Sequence, residues 1–160
     1  MKSGHYFLSL LLIVFSLMSL STAQATDKPV RVKPSKVSSA KSRFREKQFT
    51  DWLAFEAMNK LSESKRASGE QMIYYEYHEG KIAYRAIFSK AIQFNGWWRI
   101  TISGEREMEN QVNDYKSKGF EPLFVVLEGN FYSMLFVKPD QLDAARKLTA
   151  ELGIEPPVLK

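Results

Sequence analysis

The residue types able to carry out chemistry are few. After residue 5 the chain holds one histidine, His78, and its 160 residues include no cysteine. A zinc centre takes three or four nitrogen, sulfur or carboxylate ligands, so a single imidazole without thiolates argues against a metal site. The same census removes a cysteine nucleophile and a disulfide framework. A serine–histidine–carboxylate triad would have to use His78, yet no G-x-S-x-G elbow is present to offer the serine. His78 sits between Glu76 and Glu79 beside a turn, the setting of a solvated histidine. Gly69, Gly80, Gly96, Gly104, Gly119, Gly129 and Gly153 are dispersed among turns and helix ends. No clustered loop can therefore cradle a phosphate, and neither a dinucleotide fingerprint nor a P-loop exists. Glu105, Glu107 and Glu109 occupy the start of a helix, where the dipole favours them, and no other acidic pair suggests glycoside hydrolysis. No catalytic residue, cofactor or metal is expected.

What the pattern offers instead is a surface for recognition. Strict alternation in three strands places Ile73, Tyr75, Tyr77, Ile82, Tyr84, Phe88, Trp98, Ile100 and Ile102 on one sheet face, for the helices to cover. The opposite face then carries Tyr74, Arg85, Trp97 and Arg99, with Glu76, His78 and Phe94 beside them. Aromatic rings interleaved with guanidinium groups suit stacking on sugars or anchoring a protein partner. Tyr74, Arg85, Trp97, Arg99 and His78 are thus the expected ligand or partner face.

The elements that must position this face read as helix, three strands, helix, hairpin, helix. Leu53, Ala54, Ala57, Met58 and Leu61 recur at helical spacing, predicting a first helix over residues 42–68. Residues 71–78 alternate as a strand, Glu79-Gly80 marks a tight turn, and a second strand follows from residue 81. Asn95-Gly96 between apolar segments is a hairpin signal that pairs the second strand with a third at 97–103. Keeping one apolar face across that turn requires a bulge near residues 89–90. A second helix at 105–118 ends at Gly119-Phe120, a left-handed cap with its hydrophobic contact. Near-continuous apolar strands at 123–128 and 131–138 flank Gly129-Asn130, and Asp140 caps a last helix that ends at Gly153. The expected fold is α+β: an antiparallel sheet of about five strands, a meander plus a hairpin, with helices on one face. Its order is α-β-β-β-α-β-β-α, ferredoxin-like in its C-terminal part. Helix, glycine, strand, Glu-Gly, strand recurs 49 positions on, with Glu79-Gly80 answered by Glu128-Gly129, a faint αββ duplication.

The N-terminus reads as an address. Lys2 precedes the uncharged run Tyr6–Leu20, too short to span a bilayer, and S-T-A-Q-A follows with small residues at Ala23 and Ala25. Residues 1–25 are expected to be a signal peptide cleaved after Ala25, making the protein periplasmic or secreted. Residues 26–47 then hold eight basic and two acidic residues, a net +6, whereas residues 48–160 hold 14 basic and 16 acidic, a net −2. The basic character belongs to a tail, 26–41, expected to be disordered and able to adhere loosely to anionic envelope polymers or lipid. A single domain spans 42–155, with 156–160 as an extension. Export and a near-neutral domain argue against nucleic acid.

WWRITISG at residues 97–104 and FYSMLFVKPDQLDAARKLTAELG at 131–153 bound a strand–helix–hairpin–helix segment whose element order resembles that of SPOR domains, exported modules that bind cell-wall glycan. The resemblance covers residues 97–153. The family's Gly-Ser-Phe-like element is Ser103-Gly104-Glu105 here, and its Gly-Pro-Phe-like turn is Val137-Lys138-Pro139, so no binding residue carries over. The expected function is an exported, non-enzymatic module that binds a protein or wall glycan. A small periplasmic hydrolase and an inhibitor-type structural protein are the alternatives.

Overall fold

The computed structural model describes residues 29–160, so the expected signal peptide lies outside the described residues. Helices and antiparallel strands alternate: β1 (Val32–Lys33), α1 (Ser42–Glu46), α2 (Phe55–Ala67), β2 (Gln71–His78), β3 (Ala83–Ser89), β4 (Trp97–Ser103), α3 (Glu105–Ser117), β5 (Glu121–Glu128), β6 (Phe131–Val137), α4 (Pro139–Glu151) and β7 (Val158–Leu159). The fold is α+β. Its strands divide into sheets ordered β1-β7, β2-β3 and β4-β6-β5, where one sheet of about five strands was expected.

One helix–hairpin unit occurs twice. Helices α2 and α3 are 13 residues each and start at Phe55 and Glu105; β2 and β5 are eight residues each and start at Gln71 and Glu121. Both helices end in the same left-handed glycine cap. Gly69 N–H donates to Arg66 O and Glu70 N–H to Lys65 O, as Gly119 N–H does to Lys116 O and Phe120 N–H to Tyr115 O. Gly69 and Gly119 have φ of 79° and 76°, a conformation glycine adopts without steric cost. Each hairpin also carries a bulge at the matching place, between Met72 and Tyr74 in β2 and between Pro122 and Phe124 in β5.

The two hairpins pack face to face. Tyr74, Tyr75 and Ile87 from the first meet Phe124, Val126 and Leu135 from the second, closed off by Met58 of α2 and Ala145 of α4. On the far side of the three-stranded sheet, Met108 and Val112 of α3 cover Val125, Met134 and Phe136. That sheet is therefore buried on both faces, not one, which explains its near-continuous apolar strands.

Three expectations on the elements are corrected. The helix foreseen over 42–68 is split: residues 49–53 run extended beside β3, with Thr50 N–H donating to Ala86 O and Leu53 exchanging backbone bonds with Tyr84. These ladder bonds and the packing of Phe49 and Leu53 on the core outweigh the local helical period. Asn95-Gly96 does not close a hairpin, because Asn95 N–H donates to Gln141 Oε1 and its side-chain amide to Asp140 Oδ2, tying the turn to the start of α4. Strand β4 consequently leaves β3 and pairs with β6, and the bulge expected near 89–90 is found in β2 instead. The stretch expected to be a disordered tail is laid on the domain over its described part. Val32 is buried and pairs with Leu159, Ser35 N–H donates to Val125 O, and Val37 bridges Ile154. Two nearby cations serve a helix end: Lys41 Nζ donates to Ala150 O and Glu151 O, and the Arg45 guanidinium to Leu152 O, all at the C-terminus of α4.

The β2–β3 turn stores strain. Residues Glu79–Lys81 form a 3-10 turn that ends at Ile82, whose φ of 48° is costly for a β-branched residue, and its side chain is 73% exposed. Ile82→Asn should gain about 1 kcal/mol, since the left-handed cost of ~1–2 kcal/mol is relieved with little lost burial. A urea midpoint that rises at constant m checks this.

Candidate functional site

The five residues expected to share one face are divided among three environments. Tyr74 is in the core: its ring lies 5.0 Å from Phe124 and 5.9 Å from Phe49, and its hydroxyl donates to Glu76 Oε1 at 3.3 Å. Burial, reinforced by the charges of Glu76 and Glu128, pushes its phenol far above the ordinary value. It is not a surface residue. Phe49 and the second hairpin's Phe124 cover it, and residues 71–75 of β2 are all buried.

Arg85 and His78 gather around Trp52. The Arg85 guanidinium stands 4.0 Å from the Phe49 ring and 4.7 Å from Trp52, and it pairs with Glu46 at 2.6 Å and Glu76 at 2.7 Å. Burial works to lower its pKa, but its bonds to Glu46 and Glu76 prevail and raise it. Both charged ends are thus satisfied within the protein, leaving Arg85 little capacity for a ligand. His78 meets Trp52 edge-on at 5.3 Å and is exposed. It lines a hollow of about 380 Å³ with Tyr77, Glu79, Gly80, Glu128 and Gly129.

Glu128, which sequence reasoning passed over, is the perturbed group of that hollow. Its Oε2 accepts from Tyr77 N–H and from Ser133 Oγ, both at 2.8 Å, and so ties β2 to β6. Burial pushes its carboxyl up to about 7; the two hydrogen bonds oppose the rise, Glu76 adds to it and Arg85 opposes it. The one hydroxyl beside it, Ser133 Oγ, belongs to a residue with no exposed surface, and among the described residues no group of three acidic, histidine or cysteine side chains could hold a metal.

Trp97 and Arg99 remain together, and the structure adds α2 to them. They line a groove of about 280 Å³ with Asn59, Ser62, Glu63 and Arg66, which adjoins a second hollow of about 240 Å³ bounded by Phe55, Asn59, Trp97, Trp98 and Arg99. Residues 55, 59, 62, 63 and 66 repeat at helical spacing, so one face of α2 forms a wall and β4 the other. Arg99 donates from Nη2 to Asn59 Oδ1 at 2.5 Å, and its guanidinium lies 5.4–5.7 Å from the Phe55, Tyr75 and Tyr84 rings. Its Nη1 is buried without a hydrogen-bond partner, and no carboxylate pairs with it among the described residues. Burial accordingly lowers its pKa. Phe55 and Trp98 are both more than half exposed at the groove mouth, at 55% and 52%. No protein-family model, curated protein or solved structure matches this chain. The SPOR-like element order therefore stands as a likeness of order alone.

Phe55, Asn59 and Arg66 were missed because the stripe of Leu53, Ala54, Ala57, Met58 and Leu61 marks only the core side of this segment. The one available signal was negative: Asn59 and Arg66 fall on the same helical face as Phe55, a mixed face unlike the Met58 side. Among the described residues no helix is long and apolar enough to cross a membrane.

Proposed function

We propose that the protein is an exported, non-catalytic module that binds a protein partner through the groove between α2 and β4. The observation that carries this reading is the company of Trp97, Trp98 and Phe55 with Arg66 and Arg99 along one groove. Exposed tryptophan and arginine grouped in a concavity are the residue types that dominate binding energy at protein interfaces. Arg66 is exposed and forms no ion pair among the described residues, so its charge is available. Exposed rings also stack on sugars, and Phe55 and Trp98 favour a wall glycan as the second reading.

A pull-down from an envelope fraction tests both. Trp97→Ala should weaken capture of the partner about thirtyfold, the effect of losing ~2 kcal/mol at an interface anchor. Arg85→Ala, at the Trp52 cluster, should leave capture unchanged. Loss with Arg85→Ala and not with Trp97→Ala moves the site to that cluster, and recovery of glycan rather than protein favours the second reading. Export is tested by intact mass: a mature chain that begins at Thr26 supports cleavage after Ala25, and a full-length membrane-bound chain opposes it.

A further inference from the structure

Strand β4 forms one wall of the groove, and its outer edge is open. Val125 of β5 turns its N–H and C=O away from β6, where they meet Ser35 Oγ and Ser35 N–H. Met134, which lies opposite Val125 on β6, therefore directs its backbone groups toward β4, where Ile100 is its partner. The Tyr75 hydroxyl joins this pair, accepting from Met134 N–H and donating to Ile100 O. Period two along β4 then turns the N–H and C=O of Trp97, Arg99, Thr101 and Ser103 outward. None of these groups has a hydrogen-bond partner among the described residues.

The other edges are managed differently. Ser35 covers β5, residues 50–53 cover β3, and Glu128 takes the Tyr77 N–H on β2. Open edges are ordinarily blunted by proline, lysine or a bulge. Strand β4 has none of these: its seven residues pair with β6 in unbroken register, and its single charge, Arg99, is turned onto the Tyr75 and Tyr84 rings. A strand edge flanked by a helix wall is the arrangement in which an extended peptide gains main-chain hydrogen bonds along the strand and side-chain contacts from the helix. The charged lining is Arg66 and Arg99 against Glu63 alone, which favours an acidic side chain in the occupant.

We infer that β4 accepts an extended acidic peptide as an added strand, bonded to the outward backbone of Arg99 and Thr101 and held against Arg66 by its carboxylate. The inference rests on the groove's being the binding site and adds the mode of binding and the chemistry of the occupant.

The test begins with a displayed library of random seven-residue peptides selected on the full mature chain. Enrichment of aspartate- or glutamate-bearing peptides is expected, and the selected peptide is then the probe. On its addition, amide hydrogen exchange should slow at Arg99 and Thr101 while Ile100, already bonded to β6, changes little. Arg66→Glu should weaken the probe about tenfold and shift selection toward basic peptides. Thr101→Pro, which removes an outward donor, should weaken it about fivefold or more. The exchange measurement on unmodified protein stands even if the proline variant fails to fold. No enrichment, enrichment without acidic residues, or slowed exchange at Arg99 and Thr101 caused by self-association without peptide would each overturn the inference. A probe that loses affinity with Trp97→Ala yet leaves both amides unprotected also overturns it, while leaving the groove as the binding site.

Discussion

Phe124→Ala lowers the unfolding free energy by about 3–5 kcal/mol, the range for truncating a fully buried phenylalanine. Phe124 has no exposed surface and sits where the two hairpins meet, its ring 5.0 Å from Tyr74 and 5.8 Å from Tyr75. The bulge between Pro122 and Phe124 lets Leu123 and Phe124 enter the same core, so the side chain has buried neighbours from both sheets. Its removal leaves a void bounded by rings that are themselves anchored. The Tyr75 hydroxyl is tied to Ile100 O and Met134 N–H, and Tyr74 to Glu76, so neither can swing inward to fill the space. Against a total stability of about 5–15 kcal/mol, the loss is a large fraction. Urea unfolding monitored by tryptophan fluorescence reads it as a lowered midpoint at unchanged m. Phe124→Leu, which keeps most of the volume, should cost under half as much. A change below about 1.5 kcal/mol for the alanine variant would mean that the hairpins do not share this core.

Stability should fall as pH rises through neutrality, with Glu128 as the cause. Its folded-state value of about 7 lies above the ordinary 4.5 because burial penalises the anion. A raised folded pKa means that the folded protein holds the proton more tightly than the unfolded chain does. The resulting stabilisation is full below pH 4.5 and is lost as pH rises through about 7. Its size is on the order of 3 kcal/mol, taking about 1.4 kcal/mol for each unit of pKa. The groups around the carboxyl are Glu76 and the Tyr77 N–H on β2, Arg85 on β3 and Ser133 on β6, so the anion has one nearby cation and one nearby anion. Glu128→Gln retains an oxygen to accept from Tyr77 and Ser133 and carries no charge at any pH. It should match the parent at pH 5, exceed it at pH 8.5 and flatten the stability profile between them. Denaturant midpoints across that interval measure the effect; parallel profiles for the two proteins would contradict it.

Local chemistry made much of this fold legible before the structure. The cap at Gly119-Phe120, the turn at Gly129-Asn130 and the strand at 71–78 each depend on neighbouring residues, and each is found where the pattern placed it. Strand partners were less legible. Alternation assigns a side chain to a face but does not name the strand across the ladder, so β4 was joined to β3 when its partner is β6. Tyr74 keeps the face that alternation gave it, beside Glu76, but Phe49 and Phe124 cover that face there, and cover by remote segments leaves no mark on a strand's own period. Of the expected face, Trp97 and Arg99 kept their company because both belong to β4, whereas Arg85 is held by Glu76, its direct partner across the β2–β3 ladder, and by Glu46, which is remote in sequence. The α2 wall was illegible for a similar reason: which helix approaches β4 is a property of packing between elements, to which no local period responds.

The groove between α2 and β4 is the centre of this account, and backbone chemical-shift mapping of the mature protein, titrated with the partner captured from the envelope, addresses it most directly. Shifts should concentrate at residues 55–66 and 97–103, with those of Arg66, Trp97, Arg99 and Thr101 among the largest. Shifts centred on Trp52, His78 and Lys81, with β4 unmoved, would contradict it.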